Sequence, residues 1–141
     1  MNRRRFLGAV GAAGALGGAG CLGAVGSESG SSDYDVGMTA VAYGPTELTV
    51  AVGDTVRWKN TSSRAHTVSA YGERIPEAAT YFASGGYDSE TAAREAWTND
   101  LGGALDSGDT YERTFEVAGR YEYFCVPHEQ GGMVGTVVVE R

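Results

Sequence analysis

The feature that most constrains the fold is a series of short segments that favour β-strands, separated by turns. In several of them apolar and polar residues alternate, which gives each strand one apolar face that a second layer must cover. We predict about seven to eight strands and an all-β sandwich of two antiparallel sheets. The segments are MTAVAY (38–43), ELTVAV (47–52), TVRWKN (55–60), HTVSAY (66–71), TYERTFEV (110–117), RYEYFC (120–125) and VGTVVVE (134–140).

The connection between residues 71 and 106 departs from this pattern. Within it, DSETAAREAWTND (88–100) is rich in helix-forming residues, and Asp88 or Ser89 is a suitable N-cap. Apolar Ala92, Ala96 and Trp97 recur at helical spacing. The sequence therefore predicts one short helix inside a long connection.

The N-terminus has the pattern of an export signal. An arginine cluster that includes Arg3 and Arg4 precedes an uncharged run, and the pair resembles a twin-arginine signal. GAGC resembles a lipoprotein cleavage site, with Cys21 as the lipid-bearing residue. An uncleaved membrane helix over Phe6–Val25 and simple secretion are the alternatives. Each of these places the rest of the chain outside the cytoplasm.

We therefore expect three regions: a signal peptide at 1–20, a lipid-anchored Gly/Ser-rich linker at 21–35, and one folded domain at 36–141. The chain carries 11 Lys and Arg against 18 Asp and Glu, a net charge of −7. Such an acidic chain repels nucleic acid, so no nucleic-acid partner is expected. Its acidity, with Lys59 as the single lysine, suits a very salty environment, although an acidic protein from any source is the alternative.

The C-terminal part concentrates scarce metal-binding side chains. Cys125, His128 and Met133 lie within nine residues, although the chain has only two Cys, two His and three Met. Pro127 stiffens this segment, and the glycines at 131 and 132 permit a tight turn, so one loop can surround one ion. The remaining histidine, His66, is the available fourth ligand.

Two imidazoles, a thiolate and a weak thioether form the ligand set of blue copper sites. The alternative is ordinary structure: a core Cys, a structural His and a packing Met. Cys125 has no disulfide partner once Cys21 is lipidated or removed, and an unpaired thiol in an exported protein needs a reason. The spacing and the use of both histidines favour copper.

These residues also carry a family resemblance. YEYFCVPHEQGGMVGTVVV (121–139) resembles the plastocyanin-type cupredoxin signature, Cys-x-x-His-x-x-x-x-Met followed by Gly-x-Val-x-Val. GDTVRWKNTSSRAHTV (53–68) resembles the upstream segment that ends in the first ligand histidine. Together with the acidic composition and the lipoprotein signal, the chain is most similar to the halocyanins of haloarchaea.

The resemblance implies a cupredoxin Greek-key β-sandwich with one type 1 copper ion, cycling between Cu(I) and Cu(II), near one end. It implies His66, Cys125 and His128 as ligands in one plane and Met133 as the axial ligand.

Three further residues lie close to this set in the family pattern. Asn60 resembles the family asparagine that braces the two ligand loops, although it also begins the glycosylation pattern NTS. Phe124 stands where the family often has tyrosine, and Pro127 stiffens the ligand loop. Trp58 is expected in the core.

The expected function is one-electron transfer by a monomer on the outer face of the membrane. Its donor and acceptor would be membrane-bound or soluble redox proteins. An enzyme would need an open coordination position or a second metal centre, and no further histidine exists to build one. A copper storage or delivery protein and a purely structural sandwich are the alternatives.

Overall fold

A computed structural model describes residues 33–141. Arg3, Arg4, Cys21 and most of the expected linker therefore lie outside the described residues. Within 33–141, no helix has the length and apolar character needed to cross a membrane.

Eight strands, one α-helix and one 3₁₀ helix make up the described part of the chain. In chain order they are β1 Val36–Met38, β2 Tyr43–Gly44, β3 Glu47–Ala51, β4 Thr55–Asn60, β5 Ser69–Ala70, α1 Glu90–Asp100, β6 Thr110–Thr114, β7 Gly119–Phe124, the 3₁₀ helix Val126–Gly131 and β8 Val134–Glu140.

The strands form two four-stranded sheets, in the orders β2-β1-β4-β6 and β3-β8-β7-β5. This confirms the predicted all-β sandwich with one short helix. The prediction that the sheets are antiparallel throughout is wrong, because β1 pairs with β4 and β3 pairs with β8 in parallel. The chain passes from one sheet to the other between β2 and β3, and a strand that follows such a crossing is not bound to run opposite to its neighbour.

The apolar faces of the two sheets meet in a core rich in aromatic side chains. Trp58 is fully buried, as predicted, and packs edge-on against Tyr123 with ring centroids 5.3 Å apart. Tyr123 in turn packs against Tyr43 at 4.6 Å. Edge-to-face packing of this kind stabilises the fold beyond simple burial, and Cys125 belongs to the same core cluster as these rings.

Two predicted strands are shorter than their sequence patterns. MTAVAY is interrupted by a turn, in which the N–H of Thr39 donates to the carbonyl of Ala42 at 2.8 Å. HTVSAY keeps regular pairing only at Ser69–Ala70, whereas His66 forms an isolated bridge with Leu105. The prediction that His66 opens a regular strand is therefore wrong.

The predicted helix is present, and Ser89 is its N-cap: the Ser89 hydroxyl accepts from the N–H of Ala92 at 3.1 Å. It ends at Leu101, which has the left-handed φ of 57°. Its buried residue is Ala93, and the apolar Ala92, Ala96 and Trp97 are half-buried.

The rest of the connection attaches to the edge strand β5. The N–H of Ala70 donates to Phe82 at 3.0 Å, and the N–H of Ser84 donates to Val68 at 2.7 Å. Residues 82–84 thus extend the sheet, which fixes where the connection approaches the ligand-bearing end of the molecule.

Candidate metal centre

Three of the expected ligands come together at one end of the sandwich. Cys125 follows β7, His128 lies in the 3₁₀ helix and His66 precedes β5. The two Nδ1 atoms are 3.1 Å apart, and the Cys125 Sγ atom lies 3.6 Å from Nδ1 of His66 and 3.4 Å from Nδ1 of His128.

This triangle has the dimensions of a metal site. Its circumradius is about 2.0 Å, which fits the bonds of imidazole nitrogen and thiolate sulfur to a metal, about 2.0 to 2.3 Å for zinc. One ion can thus reach all three donors. The donor set is two imidazoles and one soft thiol, which suits a metal that alternates between Cu(I) and Cu(II).

His66 is held from both ends. Its backbone N–H donates to Leu105 at 3.1 Å, and its carbonyl accepts from the N–H of Leu105 at 2.7 Å. Its Nε2 atom lies 3.2 Å from the hydroxyl of Ser62. A proton on Nε2 leaves the lone pair on Nδ1, which faces the other two donors. A hydrogen bond from Nε2 to Ser62 would give the tautomer that a metal needs.

Asn60 anchors this histidine segment. Its Nδ2 donates to the carbonyls of Arg64 at 2.6 Å and Leu105 at 2.8 Å, and its Oδ1 accepts from the Ser62 hydroxyl at 2.8 Å. These contacts brace His66 against the long connection. These contacts lie within the His66 segment or reach the connection at Leu105. Because this amide is fully buried and bonded at both atoms, glycosylation at NTS is disfavoured.

Thr67 links the two ligand segments. Its backbone N–H donates to the Cys125 Sγ atom at 3.4 Å, and its hydroxyl accepts from the N–H of Val126 at 2.9 Å. Neither Thr67 nor Ser62 was among the site residues predicted from the sequence. Thr67 is an ordinary strand former beside the ligand histidine, and Ser62 is one of several polar residues in NTSSRA. Neither position carries a sequence signal of its role.

The ligand loop, residues 125–133, closes on itself. The N–H of Cys125 donates to the carbonyl of Met133 at 3.1 Å, and the N–H of Met133 donates to His128 at 3.2 Å. Pro127 lies in the first turn of the 3₁₀ helix, and Gly132 ends it with φ of 95°, a conformation that favours glycine. Met133 is fully buried, so the loop carries it into the protein near the other candidates.

Protonation of the site favours metal binding by the imidazoles and opposes a free thiolate. Burial lowers the pKa of His66, and the charge of His128 lowers it further. Burial also lowers the pKa of His128. Both rings therefore stay neutral to lower pH than usual. Burial raises the pKa of the Cys125 thiol, so a metal that binds there must displace a proton.

The two histidines differ in their access to solvent. His66 is fully buried, whereas His128 is half-buried beside the exposed Gly131 and Gly132. The residues that precede these ligands differ in the same way. Phe124, before Cys125, is fully buried, whereas Pro127, before His128, is half-buried. The site thus approaches the surface through the His128 ring.

Comparison with known proteins agrees with the fold and the donor set. The family described as copper binding proteins, plastocyanin/azurin family, matches residues 31–140. The plastocyanin of Scenedesmus fuscus is 30% identical over 101 residues, which are 72% of this chain and 89% of the relative. A minor chloroplastic plastocyanin isoform of Arabidopsis thaliana is 34% identical over 101 residues, 72% of this chain and 52% of the relative.

Among solved structures, the amicyanin of Paracoccus versutus superposes with a TM-score of 0.54 and 29% identity, covering 77% of this chain and 83% of the amicyanin. Sequence, fold and the donor triangle lead to the same assignment: the chain belongs to the plastocyanin/azurin family of copper-binding proteins, the cupredoxins.

Proposed function

We propose that this cupredoxin carries single electrons between redox proteins through one type 1 copper site. His66, Cys125 and His128 would hold the ion, and Met133 would be a further, weak ligand. The observation that carries the proposal is the triangle of two Nδ1 atoms and one Sγ atom, with sides of 3.1 to 3.6 Å. When bound there, copper supplies a one-electron couple between Cu(I) and Cu(II).

The protein holds the ligand side chains in positions that change little when the bound ion gains or loses an electron. Ser62 fixes the His66 ring, Thr67 fixes Cys125, and the loop bond from Cys125 to Met133 fixes the spacing of the remaining donors. The fully buried His66, Cys125 and Met133 exclude water from most of the site. A constrained, dry site needs little rearrangement on gaining or losing an electron, which favours fast transfer over substrate chemistry.

Electrons leave by the edge of His128, because it is the half-buried ligand ring and the exposed residues that follow in its loop, Gln130, Gly131 and Gly132, are uncharged. Gly131 and Gly132 are exposed, as are Gly44 and Pro45 on another loop. An uncharged docking surface suits strong salt, in which the Debye length falls to about 3 Å at 1 M and charges no longer steer a partner from afar.

The direct test of the proposed function is spectroscopic. The copper-loaded protein should be intensely blue when oxidised, and one electron equivalent should bleach it reversibly. A storage or delivery protein would instead bind copper without this reversible colour and would release it readily to an acceptor. Colourless copper binding would therefore contradict the proposed carrier function.

We also propose that the protein is a halocyanin-like lipoprotein on the outer face of the cell membrane, monomeric and exported by a twin-arginine pathway. The support comes from the sequence: the arginine pair at Arg3 and Arg4, the GAGC pattern at Cys21, and a net charge of −7 with one lysine. Cys21→Ser should prevent lipid attachment and release the protein from the membrane fraction or leave its signal uncleaved. Replacing Arg3 and Arg4 with lysine should retain folded protein inside the cell. Unchanged fractionation of both variants would contradict this localisation.

A further inference from the structure

The long connection contacts the ligand loop through one carboxylate. Glu129 follows His128 directly, and both of its oxygens are occupied. Arg94 of α1 donates from Nη1 to Oε1 at 2.7 Å and from Nη2 to Oε2 at 3.2 Å. The hydroxyl of Tyr71 donates to Oε2 at 2.6 Å. Three hydrogen bonds from two different segments thus converge on a residue adjacent to the half-buried ligand.

The same arginine also covers the residue adjacent to the other ligand of this loop. Its guanidinium lies over the ring of Phe124 at 4.3 Å, and Phe124 precedes Cys125. The ring of Phe124 also stacks with the ring of Tyr71, with the centroids 4.4 Å apart. Arg94, Tyr71, Glu129 and Phe124 therefore form one connected cluster, which we call the loop clamp.

The position of Arg94 is itself fixed. Its Nε donates to Glu90 at 2.8 Å, one turn earlier on α1, and Glu90 also accepts from the backbone N–H of Gly72 at 2.9 Å. Glu90 thus links α1 to the segment after β5 and also restrains the Arg94 side chain that contacts the ligand loop. A side chain restrained in this way loses less conformational freedom when it forms the bidentate contact.

An ordinary surface ion pair would contribute little, because water screens it and two flexible side chains must be ordered. The loop clamp differs in three respects: the contact is bidentate, a tyrosine shares the carboxylate, and an aromatic face lies beneath the guanidinium. The side chains of Arg94 and Glu129 are 37% and 27% exposed. Partial burial keeps the interaction effective in salt concentrations that screen exposed pairs.

We infer that Glu129 is a positioning residue, which together with Arg94 and Tyr71 holds the His128 segment in its metal-binding geometry before any metal arrives. The inference deepens the proposed function, because it rests on His128 being a ligand. It also assigns a role to the connection at 71–106. That segment holds His66 through Leu105 and the residue after His128 through Arg94, so one connection restrains the segments of both imidazoles.

The test compares Glu129→Gln with Glu122→Gln. Glu122 is the control because its carboxylate also contacts two arginines, Arg74 and Arg120, and is 30% exposed, but neither arginine bonds to Glu129. Arg74 also lies over the Tyr71 ring at 5.2 Å, so the control shows how much that contact alone contributes. The first readout is amide hydrogen exchange in the metal-free protein at His128, Gly132 and Met133, whose N–H groups close the loop. Exchange there should be about tenfold faster in Glu129→Gln, which corresponds to about 1.4 kcal/mol, and near wild type in Glu122→Gln.

The second readout is copper affinity, measured by competition of Cu(I) with a chelator. It should fall about tenfold in Glu129→Gln and stay near wild type in the control. Arg94→Met should reproduce both effects from the exposed side of α1. The double variant should be no worse than Arg94→Met alone, because that change already removes the contact with Glu129.

Loop exchange equal to that of Glu122→Gln would overturn the inference, and so would faster exchange with unchanged copper affinity. Wild-type protein that binds no Cu(I) would instead refute the proposed function. The exchange measurement on metal-free protein distinguishes these failures, because it reports on the clamp without copper.

Discussion

The two segments that supply the candidate ligands are built in opposite ways. The ligand loop holds Cys125, His128 and Met133 within nine residues, and its bonds are mostly local, such as the one between Cys125 and Met133. His66 stands alone, and its backbone is held by Leu105, which lies far away in the sequence. One segment is specified by spacing, and the other by tertiary packing.

The two segments also differ in burial, and this difference gives each a separate function in the site. The His66 side is fully buried and is fixed by a chain of hydrogen bonds through Ser62 to Asn60. The loop side is half-buried at His128 and ends in exposed glycines. A rigid side and an accessible side together satisfy an electron carrier, which must hold its metal still and yet bring it close to a partner.

The largest effect is expected in the loop, from Cys125→Ser. The hydroxyl is a poor ligand for a soft metal, and the charge-transfer donor is lost. The variant should lose the blue colour and most of its copper, measured by visible absorbance and by the copper content after dialysis. Metal-free protein of similar fold by circular dichroism would serve as the control for folding. A blue Cys125→Ser protein would refute this ligand assignment.

The His66 side should respond to Asn60→Ala chiefly through stability. This change removes two hydrogen bonds donated by the amide and two accepted from the N–H and hydroxyl of Ser62, and it leaves the carbonyls of Arg64 and Leu105 without this partner. The metal-free protein should lose about 2 to 3 kcal/mol of unfolding free energy, measured by denaturant titration.

Asn99→Ala is the matched control for that experiment, because Asn99 is exposed near the end of α1. It should change the unfolding free energy by less than about 0.5 kcal/mol. Equal stabilities of the Asn60 and Asn99 variants would show that the buried network does not anchor His66.

This contrast explains how much the sequence alone reveals. Strand alternation predicted the sandwich, and the spacing of Cys125, His128 and Met133 predicted which side chains gather in one loop, because both patterns express local geometry. The roles of Leu105 and Arg94 depend on how a 36-residue connection returns to the sheet. That path has no local pattern, since it is set by contacts such as those of Phe82 and Ser84 with the edge strand.

The same limit applies to Asn60. Asn60 was expected to join the two ligand loops, yet its amide bonds within the His66 segment and to Leu105. Thr67 provides the link to the Cys125 loop through its hydroxyl and its N–H. Several polar side chains near a site can make such a link, and only the folded geometry distinguishes them.

A smaller effect is expected from Met133→Leu, which sharpens the comparison within the loop. Leucine has a similar volume, so the buried position stays filled. Only a weak axial ligand is lost, so the variant should remain coloured with an altered, higher reduction potential. A redox titration against wild type measures the shift. Complete loss of copper binding would show that Met133 does more than adjust the potential.

The smallest effect is expected from a substitution at the exposed surface beside His128. The backbone conformations of Gly131 and Gly132 decide which of them can be substituted without strain. Gly132 has φ of 95°, so any side chain there would strain the loop. Gly131 has open space around it and no left-handed φ, so Gly131→Glu changes the surface beside His128 with little other disturbance. Thr110→Glu is the control, because Thr110 is exposed on β6 and lies outside the ligand loop.

At 1 M salt the Debye length is about 3 Å, so a new carboxylate acts only on a partner in direct contact. Gly131→Glu should therefore slow electron transfer to an acceptor protein several-fold while leaving the reduction potential nearly unchanged. Thr110→Glu should transfer at the wild-type rate. Both rates are measured by stopped-flow absorbance of the blue band with the same acceptor. Equal rates for Gly131→Glu and wild type would mean that the half-buried histidine is not where the partner docks, and the division between a rigid side and an accessible side would have to be abandoned.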